Sequence, residues 1–568
     1  MMDTISHRGP DDSGTFSLAG TDWAVNLGMR RLSIIDRAGG HQPVHRGRAS
    51  VICNGEIYNH RKLRHNLTQA SGPFKTTCDT ECVARAWDAY GANCLPMLDG
   101  MFAFAVWDRN AKALYLVRDR IGKKPLFYHW DAGRNLLVFG SEIKAILAHP
   151  HVKKEINPEG LFHYLSLQYV PEPMTAFKGI QCVPPGGMVM YQPEKGTLGV
   201  LPWYELKPQC ATPGTPSEVT PECVLSVVSE AIGARLESEV PLGVYLSGGI
   251  DSSIIAAVAK TLKPNDLHTF SMGFAEDAYN ELPQAKQLAD RLGTIHHEAI
   301  VQLPQLPEMA QRIVAQYDQP FGDCSAIPTM LLAEESKKYI TVALTGDGGD
   351  EAFGGYERYW TYDRKQGIGG YIPWMSVIPF GARDRMLDPE FKKSIAGSMH
   401  TMGWMLQQAN YPGKDLVNQM GWLDVKTYLL NDIIVKMERA SMAASVEARC
   451  PFLDHRVMEL AFAIPGNRKI EAGVGKLVLK DAFKHMLPMA VIARPKRGFG
   501  VPMDSWLRSP VGRQMLMEMT TDLAWPWGIL QGSPAGTMIE SHLNGRANCG
   551  HAIYMLLMLH GWLKRNFG

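Results

Sequence analysis

The chain is expected to pair an α+β N-terminal half of packed antiparallel sheets with an α/β parallel-sheet half that ends in a helical C-terminal part. Three observations predict this. The first third alternates short apolar runs with turns: Met101–Trp107, the turn Asp108–Lys112 and Ala113–Arg118 form a hairpin pattern. After residue 221, strand-like runs alternate with runs of helical period, which implies parallel strands joined by right-handed crossovers. From about Trp360 the pattern is mostly helical, with little strand signal.

The individual elements follow from local pattern. In the N-terminal half, Val51–Cys53, Pro125–Trp130 and Leu136–Gly140 read as further strands, and Glu81–Tyr90 as a helix. Glu205–Pro221 is rich in Pro, Thr, Gly and Ser, and is the expected linker between a domain at 1–204 and one at 205–568. Beyond it, Leu225, Val228, Ile232 and Leu236 recur at helical spacing. The predicted strands are then Leu242–Leu246, Thr269–Phe274, His297–Val301 and Tyr339–Thr345. The intervening helices are Ser252–Leu262, Leu282–Gly293 and Ile327–Lys338.

Composition narrows the class. At 568 residues, two or three domains are expected. With 45% hydrophobic residues, 20% charged residues and a net charge of +1, bulk-charge binding to nucleic acid or a membrane surface is not expected. No apolar stretch reaches bilayer length, and Met1 to Asp12 lacks the apolar core of a secretory signal, so a cytoplasmic location is expected. The 10 Cys are scattered and do not suggest a disulfide framework. Cys78 and Cys82 lack a second metal-ligand pair and read as buried thiols, and His296–His297 reads as a strand start.

The strongest chemical signal is Ser247-Gly248-Gly249-Ile250-Asp251-Ser252-Ser253, which follows a buried strand and opens a helix. Glycines let the backbone turn sharply toward a ligand, amides at a helix start attract an anion, and Ser247, Ser252 and Ser253 add hydroxyl donors. Asp251 alone would repel phosphate, which suggests a bridging Mg²⁺. A capped strand-to-helix turn is the bland alternative. A second acidic glycine-rich turn, Gly346-Asp347-Gly348-Gly349-Asp350-Glu351, follows another strand of the same sheet. Ligands of parallel sheets collect at such strand ends.

The first loop resembles the pyrophosphate loop of the ATP-pyrophosphatase families. Together, Leu246–Ser253 and Thr345–Tyr356 resemble the asparagine synthetase family. Lys436–Arg449, Cys450–Asp454, Lys476 within GVGKLVLK, and Arg494–Pro502 are similar to that family's C-terminal signatures. The resemblance implies an ATP-pyrophosphatase domain using ATP and Mg²⁺. Asp251 and Asp350 would hold the metal and Lys476 would steady the leaving phosphates. Ser271, Met272 and Gly273 would contact adenosine. Asp347 would act as a base, one methylene shorter than the family's usual Glu. Glu438 stands where Asp is usual.

The N-terminal runs His7–Gly14, Arg31–Asp36, Asn54–Asn59, Cys78–Glu81 and Arg118–Leu126 resemble the family's glutaminase domain, an Ntn-hydrolase-type antiparallel sandwich. By that resemblance Arg31 would grip the glutamine α-carboxylate and Asp79 its ammonium, while Asn54 and Gly55 would form an oxyanion hole. Glu56 would belong to the same glutamine site. The family's nucleophile is an N-terminal cysteine, and this chain begins Met1-Met2-Asp3. Cys53 is internal and supplies no free α-amine. The expectation is therefore that translation starts upstream and that the full protein uses glutamine. Without that cysteine, glutaminase activity would fall roughly a millionfold while ammonia-dependent synthesis continued. An intact mass placing the native N-terminus at Met1 or Met2 would contradict the upstream start.

Three functional readings follow. The first is amidation of aspartate to asparagine with glutamine or ammonia as nitrogen source, releasing AMP and pyrophosphate. The second is amidation of another carboxylate, such as a sugar acid, by the same chemistry. The third is a non-catalytic nucleotide-binding relic. Small molecules are the expected partners, with homodimerisation left open.

Overall fold

The computed structural model of the chain describes residues 1–71, 73–208, 219–496, 498 and 500–568. Residues 209–218 of the expected linker Glu205–Pro221, and Arg497 and Phe499 of the run Arg494–Pro502, lie outside the described residues.

The N-terminal strands are β1 (Asp12–Ala19), β2 (Ala24–Arg31), β3 (Val44–Arg46), β4 (Ala49–Ile57), β5 (Gly100–Asp108), β6 (Ala113–Arg118), β7 (Phe127–Asp131), β8 (Leu136–Gly140), β9 (Ile180–Cys182), β10 (Gly187–Gln192) and β11 (Thr197–Pro202). They build a six-stranded antiparallel sheet in the order β11-β10-β6-β5-β4-β3, a β1-β2 ribbon and a three-stranded sheet β8-β7-β9. Period-two geometry sends neighbouring residues to opposite faces. Val51, Cys53, Phe102, Phe104 and Val106 bury one face against Val83 and Trp87 of the helix Asp79–Tyr90. Ile52, Ala103, Ala105 and Trp107 bury the other against Val25 and Leu27 of β2 and Tyr128 of β7. Both faces are covered, so β5 reads as one continuous apolar run. The ribbon β1 escaped the sequence reading because its burial only alternates between exposed and half-buried.

The C-terminal half carries a parallel sheet of β12 (Leu242–Tyr245), β13 (His268–Phe274), β14 (Ile295–Val301), β15 (Val342–Leu344) and β16 (Glu447–Arg449). Its order is β14-β13-β12-β15-β16, with every pair parallel. Helices Pro221–Ala234 and Ile250–Leu262 bury Val228, Ile232, Ile255 and Val258 on one face. Helices Leu306–Gln316 and Ala326–Lys337 bury Ile313, Ile327 and Met330 on the other. Helices on both faces of a parallel sheet are the expected α/β arrangement. The chain runs from β12 to β13 on one side and later returns to β15 on the other. The gap between β12 and β15 is therefore the topological switch point, the place where open parallel sheets collect their ligands.

One sequence expectation is corrected. The strand expected at Tyr339–Thr345 is shorter, Val342–Leu344, because the amides of Tyr339 and Ile340 bond back to Ser336 O at 3.0 and 2.9 Å and close the preceding helix. The mostly helical region after Trp360 also contains the short β16, which extends the sheet beyond β15.

The halves share their cores. Phe127, Ile143 and Leu161 pack in one cluster with Tyr317, Met555 and Trp562, and Ile34 and Ile121 in another with Phe452 and Val457. Among the described residues, no helix is long and apolar enough to cross a membrane.

Candidate active sites

Ser247 and Gly346 emerge side by side from the carboxyl ends of β12 and β15. Gly248 has φ +73°, and a β-carbon there would crowd Arg494 Nη1 at 2.9 Å and Ala285 N at 3.2 Å. Glycine meets both demands, the left-handed backbone and the close approach, without strain. Within the loop, Ser252 Oγ donates to Gly249 O at 3.1 Å and accepts from Ser247 N at 3.2 Å. Ser253 Oγ donates to Gly249 O at 2.7 Å. The loop hydroxyls thus tie the loop to itself and hold its start against the helix.

A cleft of about 620 Å³ lies over this loop, lined by Ser247, Gly249, Asp251, Ser252, Ser271, Met272, Asp347, Asp350 and Lys476, among others. Of the residues singled out for the ATP site, Gly248, Ser253 and Gly273 lie outside that lining. A β-carbon at Gly273 would meet Leu282 and Asn280 instead, each at 2.6 Å.

Lys476 joins the two loops. Its Nζ bonds Asp251 Oδ2 and lies 2.7 Å from Asp350 Oδ1, while Lys496 Nζ sits 2.7 Å from Asp350 Oδ2. Lys476 itself has φ +59°, an uncommon backbone state for a residue with a β-carbon, at the start of the helix Leu477–Phe483. A β-carbon at Gly355 would collide with Asp350 Oδ1 and Lys476 Cε. Burial lowers the affinity of Lys476 for its proton, but the two carboxylates outweigh that and hold it firmly charged. Burial pushes Asp251 up, with Lys476 opposing and Asp350 reinforcing the rise. Asp350 also feels burial, yet Lys476 and Lys496 keep it below the usual carboxylate range.

Asp251 Oδ1 is buried and has no hydrogen-bond partner, which suits a cation ligand. Among the described residues, no group of three or more His, Cys, Asp or Glu is placed to hold a metal by protein atoms alone. Two carboxylates beside the glycine-rich loop are hard oxygen donors of the kind Mg²⁺ takes in twos, with its remaining positions filled from outside the protein.

Asp347 accepts from Thr345 Oγ1 at 2.7 Å, and burial raises its carboxyl. Glu351, unassigned from sequence, lines the same cleft; burial, reinforced by Asp350, pushes it up to about 7. It accepts from Tyr356 Oη at 2.5 Å.

A second cavity, of about 550 Å³, is lined by all five residues expected to bind glutamine: Arg31, Asn54, Gly55, Glu56 and Asp79. Arg31 Nη2 donates to Ile35 O and Asp36 O, both at 2.8 Å, which orients the guanidinium. Asp79 accepts from the amides of Ile57 and Thr80, each at 2.8 Å. Asn54 Nδ2 is buried and unpartnered. Glu56 differs from the other four: its carboxylate lies 3.2 Å from Arg449 Nη2 on β16. The Cys53 thiol is buried, and burial raises it well above its ordinary value.

Residues 224–564 match the asparagine synthase family, and residues 1–204 match the glutamine amidotransferase domain. A glutamine amidotransferase domain followed by a parallel-sheet synthase domain defines a class of carbon–nitrogen ligases. Asparagine synthetase [glutamine-hydrolyzing] 1 of Bacillus subtilis is 31% identical over 606 residues, covering 100% of this chain and 93% of that protein. Asparagine synthetase [glutamine-hydrolyzing] 3 of the same organism is 32% identical over 524 residues, covering 87% and 82%. Amidase chyE of Penicillium rubens is 27% identical over 595 residues, covering 92% and 87%. The chain belongs to the glutamine-hydrolysing asparagine synthetase family.

Proposed function

We propose that the chain converts aspartate to asparagine by activating the side-chain carboxylate with ATP. The observation that carries this reading is the cleft in which Ser247, Asp251, Ser252, Asp350 and Lys476 converge at the sheet's switch point. A free carboxylate is a poor electrophile because its leaving group would be oxide. Its attack on the α-phosphate of ATP gives an acyl-adenylate and releases pyrophosphate. Ammonia then attacks the carbonyl and AMP departs.

In this reading the Ser247–Ser253 loop cradles the departing phosphates with the amides and hydroxyls it turns to the cleft, and Lys476 neutralises their charge. Ser271 and Met272 border the nucleoside. Asp251 and Asp350 would hold Mg²⁺, which supplies positive charge to the phosphates. Asp347 accepts a proton from the attacking amine. Arg31 and Asp79 hold glutamine in the second cavity, and Asn54 and Gly55 face its amide oxygen. Nitrogen comes from glutamine, or from ammonia directly. The division into residues 1–204 and 205–568 separates these two chemistries.

The likeness to the Penicillium amidase motivates a second reading, the same activation applied to another carboxylate such as a sugar acid. The test is AMP and pyrophosphate formation with ATP, ammonia and each acid in turn. Aspartate is expected to support both products, and no AMP with any acid would refute the activation reading.

A further inference from the structure

A polar path joins the two cavities. Glu56, on β4, lines the glutamine cavity beside Asp79, and Arg449, on β16, is fully buried next to it. Arg449 Nη2 lies 3.2 Å from Glu56 Oε1 without aligning for a hydrogen bond. The other guanidinium nitrogens are firmly tied. Nε donates to Glu447 Oε1 at 2.9 Å, and Nη1 donates to the carbonyls of Arg235 and Glu237 at 3.0 and 2.6 Å. The backbone of Arg449 continues the path. Its carbonyl accepts from Thr345 N at 2.9 Å, and Thr345 Oγ1 donates to Asp347 Oδ2 at 2.7 Å. Thr345 and Asp347 line the synthase cleft. Glu56, Arg449 and Thr345 thus span from one cavity to the other.

Glu56 is the loosely held end of this path. Burial, reinforced by Asp79, raises its carboxyl well above the ordinary value, and Arg449 opposes the rise. The carboxyl group therefore sits between one repelling and one attracting neighbour. A ligand ammonium placed against Asp79 changes that balance. It relieves the repulsion between Asp79 and Glu56, and it competes with Arg449 for the same oxygens. At the far end, Thr345 Oγ1 also lies 3.2 Å from Cys450 Sγ, so the end of β16 and the acidic turn meet at one hydroxyl. A change in how Arg449 is held reaches Asp347 through one backbone bond and that hydroxyl. Ligands in the two cavities fix the same residues from opposite ends. The second to bind finds part of the ordering done, which makes the coupling positive.

We propose that Glu56, Arg449 and Thr345 are positioning residues that link glutamine occupancy to the placement of Asp347. Glutamine's ammonium draws on Glu56, Arg449 resettles on its remaining partners, and the Thr345 turn carries the change to the Asp347 carboxylate. The link works in both directions, so a filled synthase cleft tightens glutamine binding by the same factor. It rests on the reading that Asp347 serves the amide-forming step in that cleft.

Titration calorimetry of glutamine on the whole chain tests it, first alone and then with Mg²⁺, a non-hydrolysable ATP analogue and aspartate at saturation. Glutamine is expected to bind about fivefold more tightly to the loaded chain. Thr345→Val removes the hydroxyl that reaches Asp347. It is expected to cut the gain to less than about twofold while glutamine affinity of the unloaded chain stays within about twofold of the parent. Thr345→Ser, which keeps the hydroxyl, is expected to restore the gain. A purely structural part for Thr345 would lower both affinities and leave their ratio unchanged. Should Thr345→Val fail to fold, Glu56→Gln cuts the path at its other end and is expected to abolish the ratio whatever its own glutamine affinity. No gain in the parent chain, no glutamine binding in either state, or a gain that survives in a folded Thr345→Val or Glu56→Gln chain would overturn the link. Asparagine formation from ammonia separates this from the parent reading. Coupled binding with no asparagine formed keeps the link and refutes that reading. Asparagine formed without coupled binding does the reverse.

Discussion

Arg8 and Glu438 stand 430 residues apart in the chain and face each other in a buried ion pair that also contains Glu142. Arg8 Nη1 lies 2.9 Å from Glu142 Oε1, and Arg439 Nη1 reaches the same oxygen at 2.9 Å. The His7–Gly14 run is thereby anchored to the helix Ile434–Ala443, which also presents Lys436 to the cleft. Removing one partner of a buried pair leaves an uncompensated charge. Glu438→Ala is expected to destabilise the chain by about 3 kcal/mol in denaturant unfolding. Glu438→Asp, which keeps the charge, is expected to cost less.

The same cluster sets an acid limit on stability. Burial raises the carboxyls of Glu142 and Glu438, but Arg439 and Arg8 outweigh it, and both lie below the ordinary glutamate value of 4.5. Carboxylates with depressed folded-state values contribute fully above their unfolded value. Stability from this pair is present above pH about 4.5 and fades as the pH falls from there toward the depressed folded values. Glu438→Gln is expected to flatten that part of the stability profile.

Glu351 works in the opposite sense. Its folded value of about 7 lies above the ordinary 4.5, so its ionisation opposes folding. The penalty is absent below about 4.5, grows across the interval to about 7 and is complete above it. Glu351→Gln retains the oxygen that accepts from Tyr356. It is expected to melt higher than the parent at pH 8, with the difference vanishing near pH 4.5. Melting curves at the two pH values read this directly.

Lys476 is expected to matter for chemistry more than for folding of the glutamine cavity. Lys476→Met is expected to lower the turnover of AMP formation by about 10² to 10³-fold, the cost of losing one preorganised charge partner. Lys476→Arg is expected to recover only part of that, because a planar fork does not fit between Asp251 and Asp350 as an ammonium does. Pre-steady-state release of pyrophosphate measures the step.

Arg31→Ala and Asp79→Asn are expected to weaken glutamine binding, read by titration calorimetry, by about tenfold or more while leaving ammonia-driven asparagine formation unchanged. Equal losses of glutamine affinity and of ammonia-driven synthesis would assign these residues a structural part instead.

The parallel sheet was legible because β12 to β15 are apolar runs separated by amphipathic helices. β16 was not, since three residues with charged ends, Glu447 to Arg449, carry no strand pattern of their own. The Ser247–Ser253 loop and the acidic turn were legible because each packs its chemistry into consecutive residues. Asp323 and Lys436, paired in the lining of the synthase cleft, lie 113 residues apart, and nothing in their local sequence links them. Glu56 shows what motif context leaves out: it lines the glutamine cavity as expected, but its ion pair with Arg449, nearly 400 positions on, has no local signature.

The terminal strand β16 draws partners from the amidotransferase side on both of its charged residues, with Lys124 at 3.4 Å from Glu447 and Glu56 at 3.2 Å from Arg449. A swinging motion of one half against the other would strand those buried charges. Those contacts oppose such a swing, and a synthase fragment produced by itself is expected to leave the charged residues of this sheet margin without their partners.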